Sequence, residues 1–235
     1  MIRPLIPYAM RGAIWYQGEQ DADVKQFLST QYEERLAAMI GDWRYRWGQG
    51  DFPFYFVQLA NYQAQLITKL ASASWCQVRE AQRRVARSLP NTGAIVATDI
   101  GEDTDIHPHN KREFGRRLAL LALHGTYGMS DVVPSGPAFR EAQPAPDGAL
   151  RLIFDWAEGL HTRDGQAPRG FEVAGYDLAF HAAEATLDGT AVVVRSDAVP
   201  FPVHARYAWE SCPPCDLVNG ADLPAMPFTT LPRYC

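Results

Sequence analysis

Residues that could carry acid–base chemistry are concentrated in the segment "DIGEDTDIHPHNK", residues 99–111. Within it, His107 follows Asp105 by two positions. In such a pair the carboxylate holds and polarises the imidazole, and the imidazole takes a proton from a nucleophile. Two other interpretations stay open. Acidic residues ahead of a helix N-terminus form favourable solvated turns, and His107, His109 and Asp105 are residue types that bind metal ions.

A second segment, "GAIWYQGEQDAD" (residues 12–23), places polar residues directly behind a short apolar run. Gln17 and Glu19 flank Gly18 where a strand would end. A glutamine beside a glycine in such a loop can present N–H donors to a developing oxyanion. The alternative is that Gln17 and Glu19 are ordinary polar loop residues, and we expect Trp15 and Tyr16 to be core residues.

Strand-like and helix-like stretches alternate through the first half of the chain and must position these two segments. Strands are predicted at 12–16, 53–60 and 93–101, and helices at 24–47, 74–89 and 110–128. Asn110 can cap the last helix, with Glu113 completing a capping box. The alternation predicts a doubly wound parallel sheet. Ligand sites on such sheets lie beyond the carboxyl ends of the strands, where both polar segments fall.

The composition of the sequence changes near Asp131. Residues 132–148 are rich in proline and glycine and are predicted to form a linker or long loop. Short apolar runs follow at 149–156, 170–180, 190–196 and 204–209, which predicts a small antiparallel β module. We therefore predict two domains, residues 1–130 and 131–235.

Composition and charge exclude several classes of partner. The net charge is −5 and basic residues are scattered, so nucleic acid is not an expected partner. Arginines in the predicted helices, including the pairs Arg83–Arg84 and Arg116–Arg117, are expected to face solvent. No apolar run approaches the roughly 20 residues that span a bilayer, so no membrane partner is expected. Cys212-Pro-Pro-Cys215 has the spacing of a redox or metal motif but lacks a second Cys/His pair nearby, and the cysteines leave the compartment undecided.

The two polar segments, together with "PFYFVQLANYQ", "VREAQ" and the late "RYAWESCPPCDLVNGADLPAMPF", resemble the sialate O-acetylesterase family of the SGNH-hydrolase superfamily. This resemblance implies a serine esterase that removes acetyl groups from sugar hydroxyls and needs neither cofactor nor metal. It implies an SGNH-type three-layer α/β/α domain with a parallel sheet, accompanied by a C-terminal antiparallel β module. The expected small-molecule partner is an O-acetylated sugar.

Site residues follow from the resemblance by motif. His107 matches the catalytic base, and Asp105 matches the acid that orients it. Gln17, Gly18 and Glu19 match the block that lines the oxyanion and substrate pocket. Asp21 stands where the family often has asparagine, and an ionised carboxylate cannot donate a hydrogen bond to an oxyanion.

One family feature is absent from the sequence. The nucleophilic serine lies in a block resembling "GQSNM", and none of the serines here stands in such a block. We expect a further N-terminal portion to carry the first strand and this serine, and the chain alone to be an inactive fragment. The N-terminus is a poor signal peptide, which leaves localisation unknown, and an intact enzyme of this family could be periplasmic or secreted.

Two other functions compete with the esterase. A non-catalytic protein would hold an acetylated glycan by stacking on aromatic side chains, for which the candidates are Trp15, Tyr16, Trp156 and Trp209. A metal-dependent hydrolase would instead use His107, His109 and Asp105.

Overall fold

A computed structural model describes residues 2–23, 26–62 and 69–232 of the 235-residue chain. The chain divides into two compact units, Met1–Pro134 and Ser135–Cys235. Among the described residues, no helix combines the length and apolar character that crossing a membrane requires. Residues 24 and 25, at the start of a predicted helix, lie outside the described residues.

The first unit contains a three-stranded parallel sheet. Its strands are β1 (Ala13–Trp15), β2 (Phe54–Val57) and β3 (Thr92–Ile95), in the spatial order β1-β2-β3. Every residue of the central strand β2 is buried, as its apolar and aromatic sequence requires. The three predicted strands and their parallel pairing are confirmed.

Four helices accompany this sheet, after a short 3₁₀ turn at Arg3–Leu5. They are α1 (Glu19–Asp23), α2 (Gln26–Trp47), α3 (Lys69–Ser88) and α4 (Lys111–Gly125). The three predicted helices are confirmed as α2, α3 and α4. The single turn α1 lies where the sequence predicted only a loop.

The two faces of the sheet are covered by different helices. On one face, the ring of Trp43 in α2 contacts the rings of Trp15 and Phe54 edge-on, at centroid distances of 6.0 and 5.7 Å. On the other face, the hydroxyl of Tyr55 lies 2.9 Å from the Thr126 hydroxyl, just after α4. Leu121 of α4 lies over Gly93 and Tyr55 on the same face.

The N-cap of α4 is confirmed, because Asn110 Oδ1 accepts the Glu113 backbone N–H at 3.3 Å. The predicted capping box is replaced by a different arrangement. The carboxylate of Glu113 binds the guanidinium groups of Arg116 and Arg117 at 2.7 to 2.8 Å, which directs it along the helix.

The prediction that the arginines face solvent is wrong for several of them. Arg79 of α3 is 1% exposed and donates to the carbonyl oxygens of Leu59 and Ala60, each at 2.8 Å. Arg83 and Arg117 are buried as well. Where the chain leaves a parallel sheet, its backbone carbonyl groups lack hydrogen-bond partners in a neighbouring strand. An arginine guanidinium can reach these carbonyl groups while the methylene groups of the side chain pack in the interior.

The second unit is built from short antiparallel strands, which confirms the predicted β character of this region. The strands are β4 (Ala138–Ala145), β5 (Ala149–Asp155), β6 (His161–Thr162), β7 (Phe171–Ala174), β8 (His181–Ala182), β9 (Glu184–Asp188), β10 (Ala191–Arg195), β11 (His204–Tyr207), β12 (Leu217–Val218) and β13 (Phe228–Thr229). They form sheets ordered β4-β5-β10-β9, β13-β11-β7-β8 and β12-β6. Between the first two sheets, Phe139 stacks on Phe228 at a centroid distance of 4.1 Å.

The prediction of a linker over residues 132–148 is wrong for its second half, which forms β4. This strand lies at the edge of its sheet and pairs only with β5. An edge strand tolerates Pro144 because one side of it needs no ladder donor. The proline content that suggested a loop marks an edge position instead.

Candidate active site

One cavity lies beyond the carboxyl ends of β1 and β3, where the two polar segments meet. Its volume is about 500 Å³, within the range of small-molecule sites. It is lined by Tyr16, Gln17, Glu19, Gln20, Ile106, His107 and Lys111. The structure thus brings together three of the predicted site residues, Gln17, Glu19 and His107.

Asp105 and His107 lie next to each other in the loop between β3 and α4. Asp105 Oδ1 accepts the backbone N–H of His107 at 2.7 Å and lies 3.6 Å from His107 Nδ1. The second distance exceeds a hydrogen bond, and the imidazole is 86% exposed. Nδ1 is the ring nitrogen nearer to the Asp105 carboxylate.

His109 is held by a different carboxylate. Glu102 Oε1 accepts the backbone N–H of His109 at 2.7 Å and lies 2.8 Å from its Nδ1. The hydrogen bond between the side chains raises the pKa of His109. The backbone N–H of His109, followed by its side chain, lowers the pKa of Glu102. Glu102, Asp105 and His109 bring ligand atoms within 4.8 Å of one another, so the metal-like grouping contains Glu102 in place of the predicted His107.

Gln17 is fixed by contacts that the sequence did not reveal. Its Nε2 donates to Asp21 Oδ2 at 2.7 Å, and the Tyr32 hydroxyl donates to its backbone oxygen at 2.8 Å. The same hydroxyl lies 3.2 Å from Gln17 Oε1. Asp21 is in turn 3.6 Å from Arg35 and is not among the residues that line the cavity. An amide nitrogen carries two N–H groups, so one remains for a ligand.

Gly18 lies behind the cavity rather than on its wall. Its φ is +147°, and a Cβ at this position would lie 3.1 Å from side-chain atoms of Leu59 and Val78. Its carbonyl accepts the N–H groups of Asp21 and Ala22, which starts α1. Glycine therefore lets the chain turn tightly against the core between the two polar residues that face the cavity.

Lys111 is a cavity residue that the sequence did not single out. Tyr16 and Phe114 stack at a centroid distance of 5.2 Å. The ammonium of Lys111 lies 5.2 and 5.3 Å from the centroids of these two rings, within reach of a cation–π interaction. Burial, followed by the charge of Glu19, raises the pKa of Tyr16, so its phenol stays neutral. The signal in the sequence that could have identified Lys111 is its position at the end of the segment that contains His107 and His109.

The loop that carries His107 is anchored over its first residues, 99–103. Asn61 Nδ2 donates to Asp103 Oδ1 at 2.7 Å, and a Cβ on Gly101 would collide with the backbone of Asn61. Asp99 receives two hydrogen bonds from Arg117, at 2.6 and 2.8 Å. The rigid elements therefore set the position of the histidine loop.

Within the part of the chain that the structure describes, no serine, threonine or cysteine lines this cavity. Among the aromatic residues considered for sugar stacking, Tyr16 lines it. Trp15 instead contacts Trp43, and Trp209 lines a separate cavity of about 650 Å³ in the second unit. Cys212 and Cys215 form no disulfide.

A parallel sheet with a polar cavity at its carboxyl edge, joined to antiparallel sheets, defines a mixed α/β protein of the class that includes carbohydrate esterases. The chain belongs to the carbohydrate esterase family described as sialic acid-specific acetylesterase, whose model matches residues 3–124. This confirms the resemblance inferred from the sequence motifs.

Individual relatives agree with this assignment. The sialate O-acetylesterase of Mus musculus is 30% identical over 188 residues, which cover 74% of this chain and 34% of the mouse protein. That of Rattus norvegicus is 28% identical over 97% of this chain and 46% of its own length. A solved carbohydrate acetylesterase from Xanthomonas citri superposes with a TM-score of 0.90 at 44% identity, covering 98% of this chain and 52% of that one. The chain thus spans about half the length of these relatives or less.

Proposed function

We propose that this chain supplies the base and the substrate pocket of an esterase that removes acetyl groups from sugar hydroxyls. The observation that carries the proposal is the single cavity that Gln17, Glu19 and His107 line at the carboxyl edge of the sheet. The family supports the chemistry, since the named relatives are sialate O-acetylesterases and a carbohydrate acetylesterase. The proposed substrate is therefore an O-acetylated sugar, with O-acetylated sialic acid as the first candidate.

His107 is the proposed general base and Asp105 the group that orients it. A serine hydroxyl attacks the acetyl carbonyl while His107 Nε2 takes its proton, giving a tetrahedral oxyanion. The C–O bond to the sugar then breaks, and His107 returns the proton to the leaving sugar oxygen. Water, activated by the same imidazole, hydrolyses the acetyl-serine and releases acetate.

Gln17 is proposed as the oxyanion side of the pocket, with Gly18 as the turn that places it there. Asp21 and Tyr32 hold the Gln17 amide in place, so its second N–H is fixed before charge develops on the substrate. Asp21 is assigned this positioning role because its carboxylate accepts rather than donates. Glu19 is proposed as a hydrogen-bond acceptor for substrate hydroxyls.

The serine is proposed to come from a polypeptide segment outside the residues that line the cavity. The complete domain would then be the SGNH-type three-layer α/β/α fold, and residues 131–235 its β-rich module. Pairing of this chain with such a segment is part of the proposal.

The test compares the chain alone with the chain co-expressed with the half of the Xanthomonas citri esterase that lies outside the structural match. Acetate release from O-acetylated N-acetylneuraminate and from p-nitrophenyl acetate is measured. We expect no turnover by the chain alone and measurable turnover by the pair. His107→Asn should lower kcat of the pair by on the order of 10⁶-fold, the loss typical of removing the histidine of a serine–histidine pair.

Two controls make the assignment specific. His161→Asn alters an exposed histidine of the second unit and should leave turnover unchanged. Turnover by the chain alone that a serine-directed fluorophosphonate blocks would show that an external serine is unnecessary. Turnover of the pair that survives His107→Asn would remove His107 as the base.

A further inference from the structure

The second unit has a cavity of its own, which the esterase chemistry proposed above does not use. Its volume of about 650 Å³ lies in the range of small-molecule sites. All of its described lining residues belong to the second unit, and they are residues 167–172, 182–186, 208–210, 213 and 214. The cavity is therefore separate from the one that contains His107.

Trp209 is the tryptophan that lines this cavity, and a tight turn after β11 fixes its position. Ala208 has a φ of +53°, a left-handed conformation that alanine rarely adopts, and its N–H donates to Gly170 O at 2.9 Å. The centroid of the Trp209 ring lies 5.9 Å from the Arg206 guanidinium, within reach of a cation–π interaction. Because Trp209 is only partly buried, part of its surface is accessible to a ligand.

Glu172 adds a carboxylate of fixed orientation to the same cavity. It stands opposite Arg206 in the pairing of β7 with β11, and its two oxygens accept N–H groups of that guanidinium at 2.7 and 3.0 Å. The Arg206 guanidinium also lies 4.1 Å from the centroid of the Phe180 ring. Since an ionised carboxylate has about four acceptor sites, Glu172 can accept further hydrogen bonds from a ligand.

Two further charged lining residues are paired with opposite charges. Arg169 donates to Asp216 at 2.7 Å and to Asp164 at 2.9 Å. Glu184 accepts a hydrogen bond from Arg195 at 3.1 Å. Ion pairs of this kind compensate the charge of the lining residues, although carboxylates keep spare acceptor sites. A charged ligand would find no unpaired opposite charge on these residues, whereas a hydroxyl group can donate to their oxygens without bringing a charge.

Most of the other lining residues are alanine, proline or glycine, whose small side chains leave room for a ligand. A sugar ring has apolar C–H faces and a rim of hydroxyl groups. Its C–H face can pack on an indole ring while its hydroxyls reach nearby polar groups. The cavity thus combines an aromatic surface, a fixed acceptor and compensated charges in the way that a neutral sugar requires.

We propose that this cavity binds one ring of a neutral oligosaccharide, with its C–H face on Trp209 and a hydroxyl hydrogen-bonded to Glu172. Arg206 is the positioning residue that holds both side chains. The site acts in addition to the catalytic cavity, and the proposal does not depend on the esterase function. A second attachment point of this kind raises the local concentration of a glycan chain at the protein.

The test measures binding to the complete 235-residue chain by isothermal titration calorimetry. Cellohexaose, xylohexaose and mannohexaose are the neutral probes, and hexagalacturonate is the charged one. We expect at least one neutral probe to bind. Hexagalacturonate should bind roughly tenfold more weakly than that probe, because its carboxylates would lose water without gaining a cation.

Substitutions of the two proposed ligand contacts locate the bound sugar. Trp209→Ala should weaken binding of the neutral probe by roughly tenfold or more, whereas Trp209→Phe keeps an aromatic ring and should retain most of the affinity. Glu172→Gln should also weaken it by roughly tenfold, because a charged acceptor is lost. Trp156→Ala, which changes a 38% exposed tryptophan of the same unit outside the cavity lining, is the matched control and should bind as wild type. Thermal unfolding of each variant shows that it is folded.

The opposite results would overturn the proposal. Absence of binding by all three neutral probes would exclude it, and hexagalacturonate binding as tightly as they do would contradict a neutral ligand. Wild-type affinity in either Trp209→Ala or Glu172→Gln would place the sugar elsewhere, and a loss in Trp156→Ala alone would assign it to that tryptophan. Because no acetate release is measured, failure of the esterase test would leave this site intact.

Discussion

Asp21 illustrates how a side chain can serve a site without lining its cavity. Its carboxylate accepts the Gln17 amide and faces Arg35, while Gln17 itself faces the cavity. The family often has asparagine at this position, and its amide can donate a hydrogen bond. In this chain the Asp21 carboxylate instead accepts a hydrogen bond from the Gln17 amide and holds that amide in place. The resemblance to the family predicted that Asp21 belongs to the site, but the direction of its hydrogen bond depends on the turn at α1.

Gly18 is the residue whose replacement should disturb this turn most directly. In Gly18→Ala the new methyl would lie 3.1 Å from Leu59 and Val78 atoms, at a φ of +147° that side chains rarely adopt. We expect the free energy of unfolding to fall by about 2 kcal/mol, from strain and overpacking together.

The matched control is Gly41→Ala in helix α2, where a Cβ would meet nothing within 4 Å. Alanine is the better helix former there and should stabilise the protein by roughly 0.5–1 kcal/mol. Urea unfolding of both variants measures the difference. Equal effects of the two substitutions would contradict the close approach at Gly18.

At the scale of elements, a buried ion pair joins α4 to the loop that carries His107. The side chains of Arg117 and Asp99 are 6% and 7% exposed and share two hydrogen bonds, and Arg117 also donates to Val96 O at 2.8 Å. This arrangement fixes the point where the chain leaves β3. The position of His107 therefore depends on a residue ten positions further along the chain.

Removing this guanidinium should be costly. Arg117→Met keeps the length of the side chain but withdraws the charge that faces a buried carboxylate, and such losses cost about 3–5 kcal/mol. We expect a loss of that size in the free energy of unfolding, measured in urea at pH 7. Arg116→Gln, which removes the half-exposed partner of Glu113 on the same helix, should cost about 1 kcal/mol or less. A loss for Arg117→Met as small as that for Arg116→Gln would contradict the anchoring role.

The pKa of Glu113 makes the same helix sensitive to acid. Hydrogen bonds from Arg116, and then from Arg117, lower the pKa of Glu113 to about 2 against a partial penalty from burial. Because the pKa is lower in the folded than in the unfolded state, the stabilisation is present above about pH 4.5 and is lost as the pH falls toward 2.

Glu113→Gln should therefore be less stable than wild type by about 2 kcal/mol at pH 7, after allowing for its partial exposure, and equally stable near pH 2. Urea unfolding of both proteins between pH 2 and 7 gives this difference directly. Glu34→Gln, at an exposed position of α2, is the control and should show no such trend. A difference for Glu113→Gln that is constant with pH would contradict the assignment.

Sequence patterns predicted the helices and strands in which the spacing of apolar residues matches the side that is buried. The helices α2, α3 and α4 and the strands of the parallel sheet follow apolar repeats that burial requires. The buried positions of Arg79 and Arg117 could not be predicted in this way, because their partners are carbonyl groups and a carboxylate from distant parts of the chain. Likewise, β4 was hidden by Pro144, whose tolerance depends on an edge position that only the sheet order reveals.

The candidate site likewise contains residues that the sequence predicted and residues that it did not. The two motif segments predicted that Gln17, Glu19 and His107 would share one edge of the sheet, and one cavity contains all three. The contribution of Tyr32 could not be predicted, since its hydroxyl reaches Gln17 only because α2 packs against the start of α1. The catalytic roles of His107 and Asp105 stay predictions until activity is measured.

At the scale of the whole molecule, the two compact units have separate cores. The core of the second unit contains only residues between Phe139 and Phe228, and its strands pair only with one another. A unit of about 100 residues with its own buried core is long enough to fold alone. The free energy of unfolding of each unit should therefore be measurable separately after the chain is divided between Pro134 and Ser135.

We predict that residues 135–235, expressed alone, unfold cooperatively on heating, with near-ultraviolet circular dichroism from the packed rings of Phe171, Tyr207 and Phe228. Phe228→Ala removes the ring that stacks on Phe139 and should lower the free energy of unfolding by about 3–5 kcal/mol. Phe201→Ala, at an 83% exposed position, should change it by less than about 0.5 kcal/mol. A gradual, non-cooperative melt of residues 135–235 would show that this core needs the first unit, and the predicted division into two domains would then be wrong.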